Sequence, residues 1–340
     1  MGAVVYVREQ RAVVRKRGGR LVVEKEKQEL LEIPLRQTEA GAVYGNVQVT
    51  TQALSELLER GIALTFYTMN GRLKGRLVGE LSKNVELRVT QYEWRRDEGK
   101  RLEIAREVVA AKLWNSGEVL ADYGINYGMG LVREDVDRLR QASQSAERAG
   151  SLAELLGLEG SGAARYFGAF GRLNRSELPF AGRVKHPATD PVNALLSLGY
   201  TMVMGEIRAL VEGVGLEPHL GFLHGVDYGR PSLALDLMEP FRAAVVDRLT
   251  LRLINERVFT GEDFARRVGG TRDGSVILHP DSFRHYLGWY EKALREERAT
   301  ARRGMREEMS GQVERLCRAL REEAGWRAYW EERDAVADFL

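Results

Sequence analysis

The sequence has almost no cysteine and no evident segment for export or membrane insertion. Cys317 is the single cysteine among 340 residues, which excludes an intrachain disulfide framework and a cysteine-based zinc site. The N-terminal residues mix charges with valines, and we find no apolar run of about 18 residues, so we expect neither a signal peptide nor a membrane span. These features predict a cytoplasmic protein.

The chain also lacks a strong excess of charge of either sign. Its 51 lysines and arginines nearly balance its 49 aspartates and glutamates, which leaves a net charge of +2. A net charge this small excludes a uniform electrostatic attraction to nucleic acid. If the protein binds DNA, the contacts must come from locally clustered cations.

The hydrophobic pattern changes near residue 80. Before this point, short alternating or β-branched runs such as AVVYV and GIALTFYT predict strands, with a turn at Gly18-Gly19. One helix is expected among these strands, beginning at Thr50 or Thr51 and ending at Gly61. This region predicts a small β-rich domain.

After residue 80 the apolar residues recur with the 3.6-residue period of helices. The C-terminal segment is expected to form one long charged helix or two helices, broken near Gly304 or Gly311. Because one hydrophobic core usually stops growing at about 250–300 residues, two domains fit the chain length. We predict an α+β fold with a small β-rich N-terminal domain at 1–80 and a larger all-α domain at 81–340.

The segment GFLHGVDYGRPSLALDLMEPFR combines a histidine with two carboxylates in apolar surroundings. Asp236 and Glu239 match a capping box, with Asp236 as the N-cap, Glu239 at the third helical position and Pro240 in the first turn. The neighbouring leucines indicate burial, and a buried carboxylate needs a cation. That cation is either Arg242, on the same helical face as Glu239, or a divalent metal ion that also binds His224.

A site of carboxylate oxygens with one imidazole and no thiolate favours Mg²⁺ or Mn²⁺. Such a site needs a further acidic ligand, and the segment LLGLEGSGAARYFGAFGRL supplies Glu159. This glutamate ends an apolar helical run and precedes Gly160 and Gly162, which are small enough to let a backbone or a phosphate approach closely. A glutamate in such a place is more often a solvated residue at a helix end.

Four motifs occur in order along the chain, which are LEGSGAARYF, DPVNALLSLGY, GLEPHLGFLHG and RPSLALDLMEPFR. In sequence, order and separation they resemble those of the CRISPR-associated integrases that insert new spacers, the first-numbered family of Cas proteins. The resemblance covers the whole chain, because that family is similar in having an N-terminal β-domain and a C-terminal helical catalytic domain.

The resemblance implies the roles of four residues. Glu159, His224 and Glu239 would be the catalytic residues and would hold Mg²⁺ or Mn²⁺, and Asp236 would support them by binding a second metal or by orienting the other ligands. The implied activity is that of a nuclease, a hydrolase that acts in antiviral defence. The resemblance also implies integration, in which the 3′-hydroxyl of a prespacer attacks the CRISPR array and joins the strand to it by transesterification.

The resemblance also implies the partners of the protein. Its substrates would be double-stranded DNA, both the prespacer and the repeat and leader of the array. It would form a homodimer through the β-rich domain and assemble with the small ferredoxin-like, second-numbered Cas protein. No membrane is implied.

Four residues are candidates for contacts with DNA, which are Arg165, Tyr166, Arg183 and Lys185. Arg165 would either contact a phosphate or pair with Glu159. Tyr166 is expected to position or pack rather than attack DNA, because the Arg/His/Arg pattern around recombinase tyrosines is missing. Arg183 and Lys185 lie in a stretch, GRVKHPATDPVN, with fewer basic residues than the family often has there.

Two other functions fit the same residues. A stand-alone nuclease acting on branched DNA repair intermediates would need the same metal site. A non-catalytic DNA-binding scaffold would need Asp236 and Glu239 only as helix caps, and it differs from both enzymes in not binding Mn²⁺.

Overall fold

The structure is a computed structural model, and it describes residues 3–69, 71, 73–77, 79, 84–184, 187–267, 274–295 and 304–331. The chain forms two compact units, which comprise residues 1–83 and 84–340. The division lies three residues after the boundary expected from the sequence. The predicted α+β fold, with a β-rich part followed by a mostly helical part, is confirmed.

The described part of the first unit contains two four-stranded sheets and one helix. Its elements are β1 (Ala3–Val7), β2 (Val13–Arg17), β3 (Arg20–Lys25), β4 (Gln28–Pro34), β5 (Thr38–Tyr44), β6 (Gln48–Val49), α1 (Thr51–Glu59), β7 (Ala63–Tyr67) and β8 (Leu73–Leu77). One sheet has the strand order β1-β5-β7-β8, and the other has the order β4-β3-β2-β6. Both sheets mix parallel and antiparallel neighbours.

Alternating valines and leucines build one core in the first unit. Inward-facing residues of both sheets pack with the apolar face of α1, and they include Val5, Val14, Val43 and Leu57. The helix α1 begins at the predicted place because the Thr50 hydroxyl accepts a hydrogen bond from a backbone amide of its first turn.

The strand β4 lies at an edge of its sheet. No side chain of this strand is fully buried, and Leu30 and Leu31 are 46% and 40% exposed. An edge strand with exposed leucines offers unpaired backbone groups and apolar side chains to another chain.

The described part of the second unit is mainly helical. Its helices are α2 (Val85–Arg96), α3 (Glu98–Tyr127), α4 (Arg133–Arg148), α5 (Leu152–Leu173), α6 (Pro191–Val214), α7 (Ser232–Phe241), α8 (Arg248–Asn255), α9 (Pro280–Arg295) and α10 (Met305–Glu322). Two short antiparallel strands, β9 (Phe264–Arg266) and β10 (Val276–Leu278), also occur. The second domain, which the sequence predicts as all-α, is thus mostly helical and includes one short hairpin.

The 30-residue helix α3 is the centre of the second unit. The helices α4, α5 and α7 pack against it. Its middle, which reads VVAAKLWNSG, is buried on most sides because only small or apolar residues flank its one lysine. Side chains on this part of α3 therefore reach the helices that carry the predicted site residues.

The helix α6 is long and apolar enough to cross a membrane by length and composition alone. Glu206 and Arg208 interrupt this helix, so it is not the uninterrupted apolar run of about 18 residues that the sequence analysis looked for. The most apolar part of α6 is 56% buried, and the helix packs against α7 and α10 inside the second unit. Its composition is that of a core helix.

After α10 the chain continues in an irregular, largely buried segment, residues 326–331, which we call the 326–331 segment. Asn115 of α3 fixes it at two points, because its side chain donates to the Tyr329 carbonyl at 3.0 Å and accepts from the Glu331 amide at 2.8 Å. The Tyr329 ring stacks on Phe241 of α7, with 4.9 Å between the ring centroids. The segment thus links α3 to the end of α7.

Candidate active site

Two glutamates from different helices share one lysine in the second unit. Glu159 lies on α5, Glu239 lies on α7, and Lys112 extends from α3 between them. The Lys112 ammonium forms an ion pair with Glu159 Oε1 and lies 2.6 Å from Glu239 Oε2. The structure thus brings the two glutamates that the sequence predicts as partners to a single cation.

Arg242 is the second cation of Glu239. Its Nη1 lies 3.0 Å from Glu239 Oε1, and its guanidinium carbon lies 4.1 Å from the ring centroid of Tyr200. Glu239 is only 3% exposed. Burial alone would raise the pKa of Glu239, but Arg242 and Lys112 outweigh it and hold that pKa well below its ordinary value. Glu239 is therefore ionised at neutral pH although it is buried.

Asp236 holds His224 and the loop around it. His224 Nδ1 lies 2.7 Å from Asp236 Oδ1. The same carboxylate accepts hydrogen bonds from the backbone amides of Phe222, Leu223 and His224 at 2.5, 2.9 and 3.0 Å. A carboxylate at Nδ1 favours the tautomer that carries its proton there, which leaves the Nε2 lone pair of His224 available for a ligand.

The predicted capping box is wrong. The helix α7 begins at Ser232, after Pro231, so Asp236 lies inside the helix and bonds the amides of the preceding loop instead of those of α7. Pro240 likewise lies inside the helix and not in its first turn. The helix starts early because the residues SLALDLM continue its apolar period, so their leucines are buried by the helical fold itself.

Glu159 does not end its helix, contrary to the expectation from the sequence. The helix α5 continues to Leu173. Gly162 faces α3, where a Cβ atom would lie 2.2 Å from Leu113 Cδ2. The small residue therefore serves close helix packing, and this packing places Glu159 beside Lys112.

The helix widens after α7 into a π-helix, Arg242–Asp247. The preceding carbonyl of Pro240 accepts a hydrogen bond from Asn115 Nδ2 at 2.8 Å. Asp247, at the end of the π-helix, is buried and accepts a hydrogen bond from the Tyr200 hydroxyl. Burial raises the pKa of Asp247 to about 6, against the opposing effects of its hydrogen bonds and nearby arginines.

The residues predicted to contact DNA near Glu159 are engaged within the protein. Arg165 does not pair with Glu159, because its Nη1 lies 3.1 Å from Asp135 Oδ1, although its side chain remains 40% exposed. The ring of Tyr166 is buried, with 3% exposure, and burial raises its pKa well above the ordinary value. Tyr166 therefore presents no surface to DNA here, which agrees with a packing role.

Arg183 is half-buried beside the N-terminal part of α6. Its guanidinium donates to Asn193 Oδ1 at 2.8 Å and to Ser197 Oγ at 3.0 Å, and burial lowers its pKa. Lys185, the other basic candidate of this stretch, lies outside the described residues.

The chemistry of this cluster fits a divalent metal ion. Glu239 Oε2 is buried and receives no well-directed hydrogen bond, although the Lys112 ammonium lies near it. Two carboxylates and a free imidazole nitrogen are ligands that Mn²⁺ and Mg²⁺ accept. Among the described residues, however, no three histidine, cysteine or acidic side chains converge at metal-binding distances. Because the Lys112 ammonium pairs with both glutamates, a metal held by Glu159 and Glu239 would also require Lys112 to leave its place between them.

Sequence reasoning missed Lys112 and Asn115. The signal for Lys112 was its position, since a lysine inside the apolar helical run VVAAKLW must be buried and paired. Asn115 follows three residues later on the same face of α3, where it bonds Pro240 and the 326–331 segment.

The family model described as "CRISPR associated protein Cas1" matches residues 5–292. A protein named CRISPR-associated endonuclease Cas1 2 of Rhodospirillum rubrum is 36% identical over 86% of this chain and 87% of its own length. A CRISPR-associated endonuclease Cas1 3 of Thermus thermophilus is 36% identical over 86% of this chain and 85% of its length. A further relative, a Cas4 exonuclease and Cas1 endonuclease fusion of Geobacter sulfurreducens, is 36% identical, and the match spans 54% of its length.

Solved structures share the fold. A Cas1 protein of Thermotoga maritima has a TM-score of 0.78 and 25% identity, with coverage of 98% of this chain and 100% of that one. A casposase bound to its integration product has a TM-score of 0.79 at 22% identity, with coverage of 100% and 97%. A Cas6-RT-Cas1–Cas2 complex has a TM-score of 0.82 at 22% identity, and the match covers 98% of this chain but 36% of that one. From the family-model match and the relatives at 36% identity, this chain belongs to the CRISPR-associated Cas1 family.

Proposed function

We propose that this chain is a metal-dependent DNA endonuclease and integrase, which inserts new spacers into a CRISPR array by transesterification from the 3′-hydroxyl of a prespacer. The observation that carries the proposal is the meeting of Glu159 and Glu239, from separate helices, at one cation. The curated relatives named above are CRISPR-associated endonucleases. The casposase of the same fold is seen with its integration product.

In this proposal Glu159, Glu239 and the Nε2 of His224 hold Mg²⁺ or Mn²⁺. The bound ion would polarise the phosphoryl oxygens and help to deprotonate the attacking hydroxyl. Asp236 retains the proton of His224 at Nδ1 and fixes the loop through three backbone amides. Arg242 keeps Glu239 ionised in its buried position. The exclusion of water around Glu239 strengthens each of these electrostatic interactions.

The partners are part of the same proposal. The substrates are double-stranded DNA of the prespacer and of the CRISPR repeat and leader, and the protein works in the cytoplasm as part of antiviral defence. We include a homodimer through the first unit and the ferredoxin-like Cas2 protein as partner. In support, solved structures of this fold include a Cas1–DNA complex and an assembly with Cas2.

The structure does not favour the alternative function as a non-catalytic DNA-binding scaffold. It requires Asp236 and Glu239 to act only as caps of a helix start, whereas both lie inside α7. A nuclease for branched DNA would use the same cluster, and the reaction products distinguish it from an integrase.

We expect Glu159→Ala, His224→Ala and Glu239→Gln each to reduce Mn²⁺-dependent strand transfer by more than about 100-fold, since loss of an outer-shell partner alone costs about 10–100-fold. The assay measures joining of a duplex with a 3′-hydroxyl to a supercoiled plasmid that carries the repeat. Joined products indicate an integrase, and cleavage of branched DNA without joining would indicate the other nuclease.

Thermal melting separates chemistry from folding in this experiment. Glu239→Gln should also lower the melting temperature, because it removes the carboxylate that Arg242 pairs with and leaves Lys112 with Glu159 alone. Glu93→Ala, a change at an exposed glutamate of α2, serves as the control and should retain activity. Full strand transfer by the His224 variant would refute the assignment of the site.

A further inference from the structure

Lys112 is held by both carboxylates of the proposed metal site. Its side chain is 13% exposed, and its ammonium pairs with Glu159 Oε1 and with Glu239 Oε2. A buried ammonium is costly unless it is paired. Within the described residues, these two glutamates are the only acidic partners that Lys112 has.

The same oxygen atoms are the natural ligands of a divalent cation. An ammonium and a metal ion cannot both occupy the space between Glu159 Oε1 and Glu239 Oε2, and two positive charges at that distance repel each other strongly. The flexible four-carbon stem of lysine allows its ammonium to move away without movement of α3. The lysine and the metal ion are thus alternative partners for one pair of carboxylates.

Arg242 differs from Lys112 in this respect. It contacts the other oxygen of Glu239, Oε1, and its guanidinium lies over the ring of Tyr200. Arg242 therefore neutralises part of the charge of Glu239 without lying between the two glutamates.

We propose that Lys112 is an internal competitor of the divalent cation, which keeps Glu159 and Glu239 together and raises the metal concentration that the site requires. This inference rests on the proposed metal-dependent function. It assigns Lys112 a positioning role that sets a threshold for metal binding, and it adds no ligand to the site.

If Lys112 had only a structural role, its removal would change the affinity for the metal in the opposite direction. If the lysine only held α5 and α7 in register, its removal would let the two glutamates separate and would weaken metal binding. If it competes, its removal leaves the carboxylates free for the metal and strengthens binding, while the protein without metal becomes less stable.

The test is calorimetric titration of the full chain with Mn²⁺. Lys112→Met, which has a neutral side chain of similar length, should lower the Kd for Mn²⁺ by roughly tenfold, equivalent to about 1.4 kcal/mol. Lys112→Gln, a second neutral variant that still donates hydrogen bonds, should also bind more tightly than the wild type. Lys112→Arg retains the charge and should not. Lys100→Met, on the same helix but away from the cluster, is the matched control and should leave the Kd unchanged.

Melting with and without Mn²⁺ gives a second readout. In chelator, the Lys112→Met protein should melt below the wild type, and its melting temperature should rise more on addition of Mn²⁺. An unchanged or weaker affinity in both neutral variants would overturn the inference while the metal site stands. Absence of Mn²⁺ binding in the wild type and in both neutral variants would overturn the proposed metal-dependent function itself.

Discussion

Asp236 shows what the sequence could and could not specify about a single residue. An acidic residue among leucines indicates a buried carboxylate that needs a partner, and the sequence alone shows this pattern. Three roles remained open, as the N-cap of a helix, as a ligand of a second metal or as an orienting residue. The structure places both of its oxygens against three loop amides and the Nδ1 of His224. These contacts occupy the carboxylate and favour the orienting role.

Lys112 illustrates the opposite case. The sequence correctly indicates that Glu239 needs a cation and that Arg242 can supply it. It could not show that a lysine some 127 positions before Glu239 reaches the same carboxylate. Such a contact depends on how α3 and α7 cross, which local pattern does not determine.

Asp247 leads to a prediction on pH. Its pKa of about 6 in the folded protein exceeds the 3.8 of an ordinary aspartate, so the folded state binds the proton more tightly than the unfolded state does. Stability from this group is therefore complete below about pH 4 and is lost as the pH rises through 6. A difference of about two pH units corresponds to about 3 kcal/mol in the free energy of unfolding.

We expect Asp247→Asn to remove this loss. Compared with the wild type, the variant should gain stability by about 3 kcal/mol between pH 4 and pH 7, because asparagine does not ionise. Denaturant unfolding at several pH values measures the difference. Asp137→Asn, at an exposed position of α4, is the control and should follow the wild type. If the free energy of unfolding varied with pH in the same way for the wild type and Asp247→Asn, the raised pKa of Asp247 would be contradicted.

At the scale of elements, the loop before α7 positions the proposed site as much as the helix α7 does. His224 is carried by this loop, and Gly221 lies where the loop passes against the start of α7. A Cβ atom on Gly221 would lie 2.7 Å from the Ser232 backbone carbon and 2.8 Å from Asp236 Oδ2. The backbone atom cannot move aside without moving the helix, so this position has no room for a side chain.

Gly221→Ala should therefore displace the loop from Asp236. We expect a loss of about 1–3 kcal/mol in the free energy of unfolding, the usual cost of overpacking, together with weaker Mn²⁺ binding because His224 is no longer fixed. Gly225→Ala is the matched control on the other side of His224, where a Cβ atom would meet no atom within 4 Å. Equal stability and equal Mn²⁺ affinity of the two variants would show that the loop is not held as described.

Most elements could be predicted from the sequence, and the exceptions have physical reasons. The strand β4 was missed because its residues, QELLEIP, are largely exposed and do not alternate. The strand β5 was missed because it reads TEAGAVY, with few β-branched residues, although it lies between two parallel neighbours. The start of α7 was placed too late because Asp236 and Glu239 imitate a capping box.

At the scale of the whole molecule, the first unit leads to a prediction on assembly. The edge strand β4 exposes Leu30 and Leu31. In the proposed homodimer, a second copy of the chain would cover this strand. Sedimentation of the full protein should give about twice the 38.3 kDa chain mass. The double variant Leu30→Lys, Leu31→Lys should sediment as a monomer, because lysines on an edge strand oppose pairing with another chain.

The control for assembly is Val85→Lys, at an exposed valine of the second unit. This variant should remain a dimer. A wild-type monomer at micromolar concentration would refute the homodimer, and a dimeric double variant would place the interface elsewhere.

The position of the 326–331 segment late in the chain implies an order in which contacts form during synthesis of this protein. The helices α3 and α7 leave the ribosome well before it, and until it follows them Asn115 lacks two of its three backbone partners and Phe241 lacks the ring of Tyr329. Until then α3 and the end of α7 would lack the contacts that the 326–331 segment makes with both of them. An enzyme proposed to cut and join DNA would in this way remain incomplete while it is being translated, because these contacts could form only after the 326–331 segment has left the ribosome.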